Sequence, residues 1–198
     1  IVVSAVFVEE GPDKGAIWHF GQPYKEQKDL LSGNGWADLS HRAVISITGK
    51  DRLTWLHALT TQHLEQLPPG VWKEALILDA QGHIVEQLFL FDDGATTWIH
   101  TEAQRAVPLI EYLEKMKFML EVEVKDQSSN YAVLRVAGIS DDIGGPYKIF
   151  PKSKFAEIIA EFNKSHPQVG MWAVEALRVE QGRARLLFEV DHKSIPNE

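Results

Sequence analysis

Apolar residues follow two rhythms along this chain, and the switches between them mark its elements. Residues 1–8 are β-branched and apolar, which predicts a strand. Gly11-Pro12 and Gly21-Gln22-Pro23 bracket a loop. Residues 24–31 predict a short helix, stopped at Ser32-Gly33-Asn34-Gly35, and residues 43–48 predict a strand. Gly49 turns the chain into a helix over about residues 50–62, where Leu53, Leu56 and Thr60 share a face with Trp55 and Leu59 beside them. Thr48 and Asp51 have capping-box spacing, and Pro68-Pro69-Gly70 breaks the chain. Apolar runs at 75–79 and 84–91 flank Ala80-Gln81-Gly82-His83, a hairpin signal, and residues 96–100 continue the sheet.

Val107, Ile110, Leu113 and Met116 recur every three residues and predict a helix over about 103–117. Residues 120–124, 131–136 and 148–150 read as strands. Ser153 offers a cap for a helix whose Phe155, Ile158, Ile159 and Phe162 form an i, i+3, i+4, i+7 stripe. A last helix spans about 171–181, with Gly182 as its stop. Hairpins are present and no strict βαβ rhythm is, so the fold class is α+β with mixed, largely antiparallel sheets. No fixed-period repeat and no low-complexity segment occurs.

The 198 residues give room for one large domain or two small ones, and 44% apolar content supports a sizeable core. Six Trp and nine Phe serve that core or a stacking surface for a flat ligand. A net charge of -8 argues against a nucleic-acid footprint, yet a local Arg or Lys can still hold a small anion. The absence of cysteine excludes a disulfide scaffold, a thiolate zinc site and a Cys nucleophile in this stretch, and is compatible with a reducing cytosol. No apolar run approaches the roughly 20 residues of a membrane span. Glu9-Glu10 follow the apolar start and no basic region precedes it, so the start reads as strand and not as a signal peptide. The first residue is Ile, which suggests that the numbering starts inside the natural protein.

Chemistry is sparse in the residues alone. The eight histidines form no HExxH or HxH pair, and His57 and His63, six apart on or near one helix, have poor spacing for shared ligation. No metal site is expected. Gly144-Gly145-Pro146 is too short for a phosphate loop, and no GxGxxG or GxSxG occurs. Glu86 interrupts an apolar strand; it is either an outward-facing position or a pocket carboxylate accepting from the N–H donors of a ligand ring. Arg178 and Glu180, two apart on the last helix, point to different faces, as surface charges or a helix-terminal cation. Arg42 is expected to be exposed. No catalytic residue is identifiable.

Four short blocks, in order, carry a family resemblance. Asp38-Leu-Ser-His-Arg42 followed by Ile47-Thr-Gly-Lys-Asp51, Trp55-Leu56 and Leu59-Thr-Thr-Gln62 resembles the opening of YgfZ-type proteins and of the glycine cleavage T-protein. Leu76-Ile-Leu-Asp-Ala-Gln-Gly-His-Ile84 resembles their hairpin, Leu177-Arg-Val-Glu-Gln-Gly182 their LRxExG helix end, and Ser194-Ile-Pro-Asn-Glu198 the segment after it. The resemblance implies ferredoxin-like subdomains around a central pocket for tetrahydrofolate or a one-carbon folate derivative. It implies a folate-binding subdomain over residues 1–125 and a second α+β subdomain over 126–198.

The T-protein branch transfers an aminomethyl group from a lipoyl carrier to tetrahydrofolate; the YgfZ branch is linked to iron–sulfur cluster assembly or repair and to tRNA modification. Glu86 stands where the T-protein has its pocket aspartate, and the block GYTGEDGFE is reduced to Gly144-Gly-Pro-Tyr-Lys-Ile-Phe150, so the chain is more similar to the YgfZ branch. That branch carries KGCYxGQ downstream of the segment matching 194–198, then a C-terminal barrel; both are absent here, and the chain is expected to be a fragment or the ordered part of a longer protein. Residues 138–143 are abrupt for the family, as if a loop had been closed up in the numbering.

The folate contacts implied are Arg42, Glu86, Arg178 and Glu180. A carboxylate would pair with the aminopyrimidine edge, and a guanidinium would hold a glutamyl carboxylate or stack on the pterin. Trp172 is a further stacking candidate, although the family's aromatic falls where Val174 stands, on another helix face. The resulting expectation is a cytoplasmic, monomeric, folate-binding accessory protein with iron–sulfur proteins as partners and no nucleic-acid or membrane contact. A folate-dependent aminomethyltransferase and a non-folate interaction domain are the rival readings.

Overall fold

The computed structural model describes residues 4–136 and 147–196. In chain order the strands are β1 (Val6–Phe7), β2 (Ile17–His19), β3 (Trp36–Asp38), β4 (Ala43–Thr48), β5 (Lys73–Leu78) and β6 (Ile84–Asp92). They continue with β7 (Thr96–Thr101), β8 (Glu123–Asp126), β9 (Tyr131–Val136), β10 (Tyr147–Pro151) and β11 (Gln168–Val169). The α-helices are α1 (Pro23–Leu31), α2 (Arg52–Leu59), α3 (Ala106–Lys115), α4 (Phe155–Ser165) and α5 (Met171–Glu180). Contacts sort these into two units, both discontinuous along the chain: one of residues 4–42, 130–136 and 147–184, the other of 43–129 and 185–196.

The second unit is built on an antiparallel sheet ordered β5-β6-β7-β4-β8. Strand alternation sends Ile45, Ile47, Ala75, Ile77, Leu88, Leu90 and Ile99 to one face, where Trp55 and Leu56 of α2 and Leu109 and Leu113 of α3 cover them. Leu56, Leu88, Leu90 and Leu113 are wholly buried, and each contributes about 1.5–3 kcal/mol by leaving water. The Trp55 indole N–H donates to the Met116 carbonyl at 3.0 Å, which fixes α2 against the end of α3. Gly49 lets β4 turn into α2: its φ is 111°, and a Cβ there would lie 1.9 Å from the Glu121 carbonyl oxygen. The β5–β6 turn is closed by Asp79, whose Oδ1 accepts the N–H groups of Gln81 and His83, both at 2.9 Å.

The first unit holds a β1–β2 ribbon and a sheet ordered β10-β9-β3-β11, in which β11 runs parallel to β3. Trp36 and Ala37 alternate across β3. Trp36 joins Ala132, Leu134, Val136 and Phe150 beneath α4, and Ala37 joins Leu30, Val169 and Ala173 beneath α1 and α5. Glu26, on α1, is buried. Its carboxylate accepts from the N–H groups of Phe20 (2.8 Å), Gln22 (3.3 Å) and Gly170 (2.9 Å), which fastens the start of α5 to the start of α1.

The α+β class and the largely antiparallel sheets stand as expected, and the described residues contain no closed barrel. Several local expectations do not. The Thr48/Asp51 box does not form: Asp51 makes no side-chain cap bond, and its Oδ2 instead accepts from the Glu121 N–H at 2.8 Å. Ser153 does not cap α4, because residues 152–154 wind into a 3-10 turn and Lys154 takes the cap position. The period-three stripe on α3 is off by one residue at its start: Ala106, Leu109 and Leu113 are buried, while Val107 is 63% exposed. The loop bracketed by Gly11 and Pro23 contains β2. The readings placed on residues 138–143 and on Gly144-Gly145-Pro146 lie outside the described residues, as do residues 1–3 and 197–198. Among the described residues no helix is long and apolar enough to cross a membrane.

Candidate functional site

Glu86 lies on β6 among Ile84, Leu88 and Leu90 and is 2% exposed, so it is not an outward-facing position. The chain supplies its counter-charge from a 3-10 turn between β7 and α3. Arg105 Nε donates to the two Glu86 carboxylate oxygens at 3.1 and 3.2 Å, and a terminal guanidinium N–H donates to Oε1 at 2.5 Å. A further N–H reaches the Val85 carbonyl at 3.3 Å. Burial pushes the Glu86 carboxyl above its ordinary range, and the Arg105 guanidinium pulls it back without cancelling that push.

Beside this pair, within the second unit, a cavity of about 240 Å³ opens, lined among others by Arg105, Asp79, His83, Leu186, Asp191 and His192. Two of its carboxylates are held below their ordinary range. The His83 N–H is the main cause at Asp79, with the His83 ring 3.0 Å away, and the Lys193 N–H is the main cause at Asp191. The cavity therefore offers a guanidinium, two carboxylates and two imidazoles around the apolar floor of Ile84 and Leu186.

The cavity wall at 185–190 is fastened to the sheet by groups that sequence reasoning did not single out. Arg185 forks onto Glu102, Nε to Oε1 at 2.8 Å and a terminal nitrogen to Oε2 at 2.9 Å, with both side chains 3% exposed. The same guanidinium lies 4.4 Å over the Phe188 ring. Gln87 accepts from the Leu186 N–H at 2.9 Å and donates to Glu74 at 2.5 Å. No local pattern pairs Glu86 with an arginine nineteen residues on, or Glu102 with one eighty-three residues on; the sheet brings them together.

The other expected site residues lie in the first unit. Arg42 is 6% exposed, which corrects the expectation of exposure: it ends the turn from β3, where its N–H donates to the Leu39 carbonyl at 2.9 Å. Arg178 is half-buried and engaged with its own helix. Nε and a terminal nitrogen donate to Glu175 at 3.0 and 2.7 Å, and the other terminal nitrogen donates to the Arg183 carbonyl at 2.6 Å. Glu180 is exposed. Trp172 stands about 9 Å from Arg178 along α5, edge-on to Trp18 at 5.4 Å and to Tyr24 at 6.4 Å. Its indole N–H is buried with no hydrogen-bond partner among the described residues. Arg178 and Trp172 thus share one helix, while Glu86 belongs to the other unit.

One cluster appears that spacing along a helix did not suggest. α2 stops at Leu59, and the chain folds back so that the His57 and His63 rings lie 4.7 Å apart at 80°, with Glu65 beside them.

Comparison with known proteins agrees with this architecture. The chain is 33% identical over 86 residues to an aminomethyltransferase of Synechocystis sp., a match covering 43% of this chain and 22% of that protein. It is 28% identical over 123 residues to an aminomethyltransferase of Chromobacterium violaceum, covering 61% and 33%. It is also 28% identical over 116 residues to the mitochondrial iron-sulfur cluster assembly factor IBA57 homolog of Cryptococcus neoformans, covering 57% and 30%. The matched stretches thus span a third or less of these relatives. The crystal structure of the glycine cleavage system aminomethyltransferase T from Bartonella henselae superposes on 98% of this chain and 63% of its own, with a TM-score of 0.81 at 18% identity, which speaks for the fold. The profile of the GCVT N-terminal domain matches residues 9–140, about two thirds of the sequence, and the chain belongs to that family.

Proposed function

We propose that this chain belongs to a tetrahydrofolate-binding accessory protein of the YgfZ type that supports iron–sulfur cluster assembly or repair and, through it, tRNA modification. The observation that carries the reading is Glu86, a buried carboxylate on the hairpin strand, oriented by Arg105 beside a cavity. A carboxylate has about four acceptor sites. The Arg105 contacts occupy two of these on Oε1 and one on Oε2, which leaves Oε2 to accept an N–H donor of an aminopyrimidine ring, and burial strengthens such a bond. Arg42 and Arg178 would hold the glutamyl carboxylates, Trp172 would stack, and Glu180 completes the set of proposed contacts. The proposed setting is the cytoplasm, which suits a chain without cysteine, with iron–sulfur proteins as partners and a monomeric state. The relatives named as iron–sulfur assembly factors favour this branch.

Calorimetric titration of tetrahydrofolate into the full-length protein tests the reading. Saturable binding is expected, weakened about tenfold to a hundredfold in Glu86→Gln, the range for a lost hydrogen bond to a charged group. Absence of binding by the unaltered protein overturns it in favour of a non-folate interaction domain. The relatives named aminomethyltransferase favour the second reading: formation of methylene-tetrahydrofolate from an aminomethyl-lipoyl carrier would replace the accessory role with that enzyme activity.

A further inference from the structure

The geometry points to a site for a divalent transition-metal ion at His57, His63 and Glu65, separate from the cavity that Arg105 lines and independent of the folate reading. One ligand atom from each residue lies within 4.8 Å of the other two. Tetrahedral coordination by imidazole nitrogen and carboxylate oxygen places ligand atoms about 3.3 Å apart. The remaining closure is within reach of His63 and Glu65, whose side chains are exposed and free to change rotamer.

The backbone beneath them is fixed. Leu64, between the two outer ligands, is fully buried in the core under the sheet. The turn before it is tied to β5 by the Thr61 N–H donating to the Leu76 carbonyl at 2.9 Å and the Leu76 N–H donating to the Thr61 hydroxyl at 3.1 Å. His57 is half-buried on α2; its Nδ1 lies 3.2 Å from the Gln62 carbonyl oxygen, and in the other tautomer it accepts from the Leu64 N–H at the longer distance of 3.4 Å. An Nδ1–H donating to that carbonyl leaves the Nε2 lone pair for a metal. This is the usual way a backbone carbonyl orients a ligating histidine.

The donor set decides the metal class. Two imidazoles and one carboxylate, with no thiolate, suit zinc and its first-row neighbours and not calcium or magnesium, which take oxygen ligands. Three protein ligands at the surface leave the remaining coordination positions to solvent or to a second molecule.

Zinc titrated into the full-length protein by calorimetry reads the site directly. One equivalent is expected to bind, each of His63→Ala and Glu65→Ala to weaken it about tenfold or more, and the double variant to lose it. Cobalt in place of zinc should give visible absorption bands in the unaltered protein that vanish in the double variant. Both substituted side chains are exposed, and far-ultraviolet circular dichroism confirms that the variants fold. Zinc binding of unchanged affinity in the double variant, or none by the unaltered protein at millimolar zinc, overturns the assignment.

Discussion

Glu86 and Asp92 stand on the same strand, and their surroundings push them in opposite directions. At Asp92 burial favours the neutral acid, but the Arg52 fork at 2.7 and 2.8 Å, the Thr97 hydroxyl at 2.6 Å and the Gly94 N–H together outweigh it, so the carboxyl is held below its ordinary range. At Glu86 burial outweighs Arg105 and the carboxyl is raised. A lowered carboxyl binds its proton more weakly in the folded chain than in the unfolded one. Asp92 therefore adds stability that is present above the ordinary aspartate value and is lost as pH falls through the folded value. Glu86 does the reverse: the folded chain holds its proton more tightly, so its contribution falls as pH rises from the ordinary glutamate value through the raised one. Urea unfolding across this range should give a shallower loss of stability toward acid in Asp92→Asn and a shallower loss with rising pH in Glu86→Gln. Parallel pH profiles for wild type and both variants would refute the assignment. At this scale the sequence revealed the anomaly and not its resolution. A glutamate inside an apolar run is visible, but the guanidinium that neutralises it arrives through a hairpin and a turn.

Elements with enough residues to show a period were legible, and those without were not. β4, β9 and the stripe on α4 are six to eleven residues long, and their burial follows the pattern read from them. β3 and β11, at three and two residues, are too short to show any alternation; their strand character comes from pairing with each other and with β9. Caps failed as signals because a serine or aspartate oxygen has competing donors: Asp51 serves the Glu121 N–H across the sheet edge instead of its own helix. The turn into α2 offers a test at the same scale. Gly82 also has a positive φ, 89°, but nothing lies within 4 Å of a Cβ there. Gly82→Ala should therefore cost only the left-handed backbone penalty of about 1–2 kcal/mol. Gly49→Ala adds a collision with the Glu121 carbonyl and should cost ~3 kcal/mol or more. Thermal or urea unfolding separates the two, and equal losses would count against the close approach of β4 to residue 121.

For the molecule, the informative fact is that each unit has its own apolar core while neither is a continuous piece of chain. The family blocks follow one another along the chain, yet nothing in them shows that residues 185–196 pack with the sheet of 43–129, because contacts across such separations leave no local pattern. Leu88→Ala, deep in the second unit's core, should cost about 2–5 kcal/mol. Native-state hydrogen exchange should then speed up first at the amides of β4 to β8, with β3 and β9 responding less. Uniform acceleration in both units would show that they open together.

The pairing of β3 with β9 sets a timetable for synthesis. The sheet of the second unit draws its five strands from residues 43–126 without interruption, so it can close while the chain is still being made. β3, made earlier, waits for β9, roughly 90 residues later, a delay of about 5–20 s at ordinary translation rates. During that interval Trp36 and Leu39 lack the partners that bury them. β3, made before the second unit's sheet, therefore settles after it, and in a growing chain it is a stretch that a chaperone could shelter.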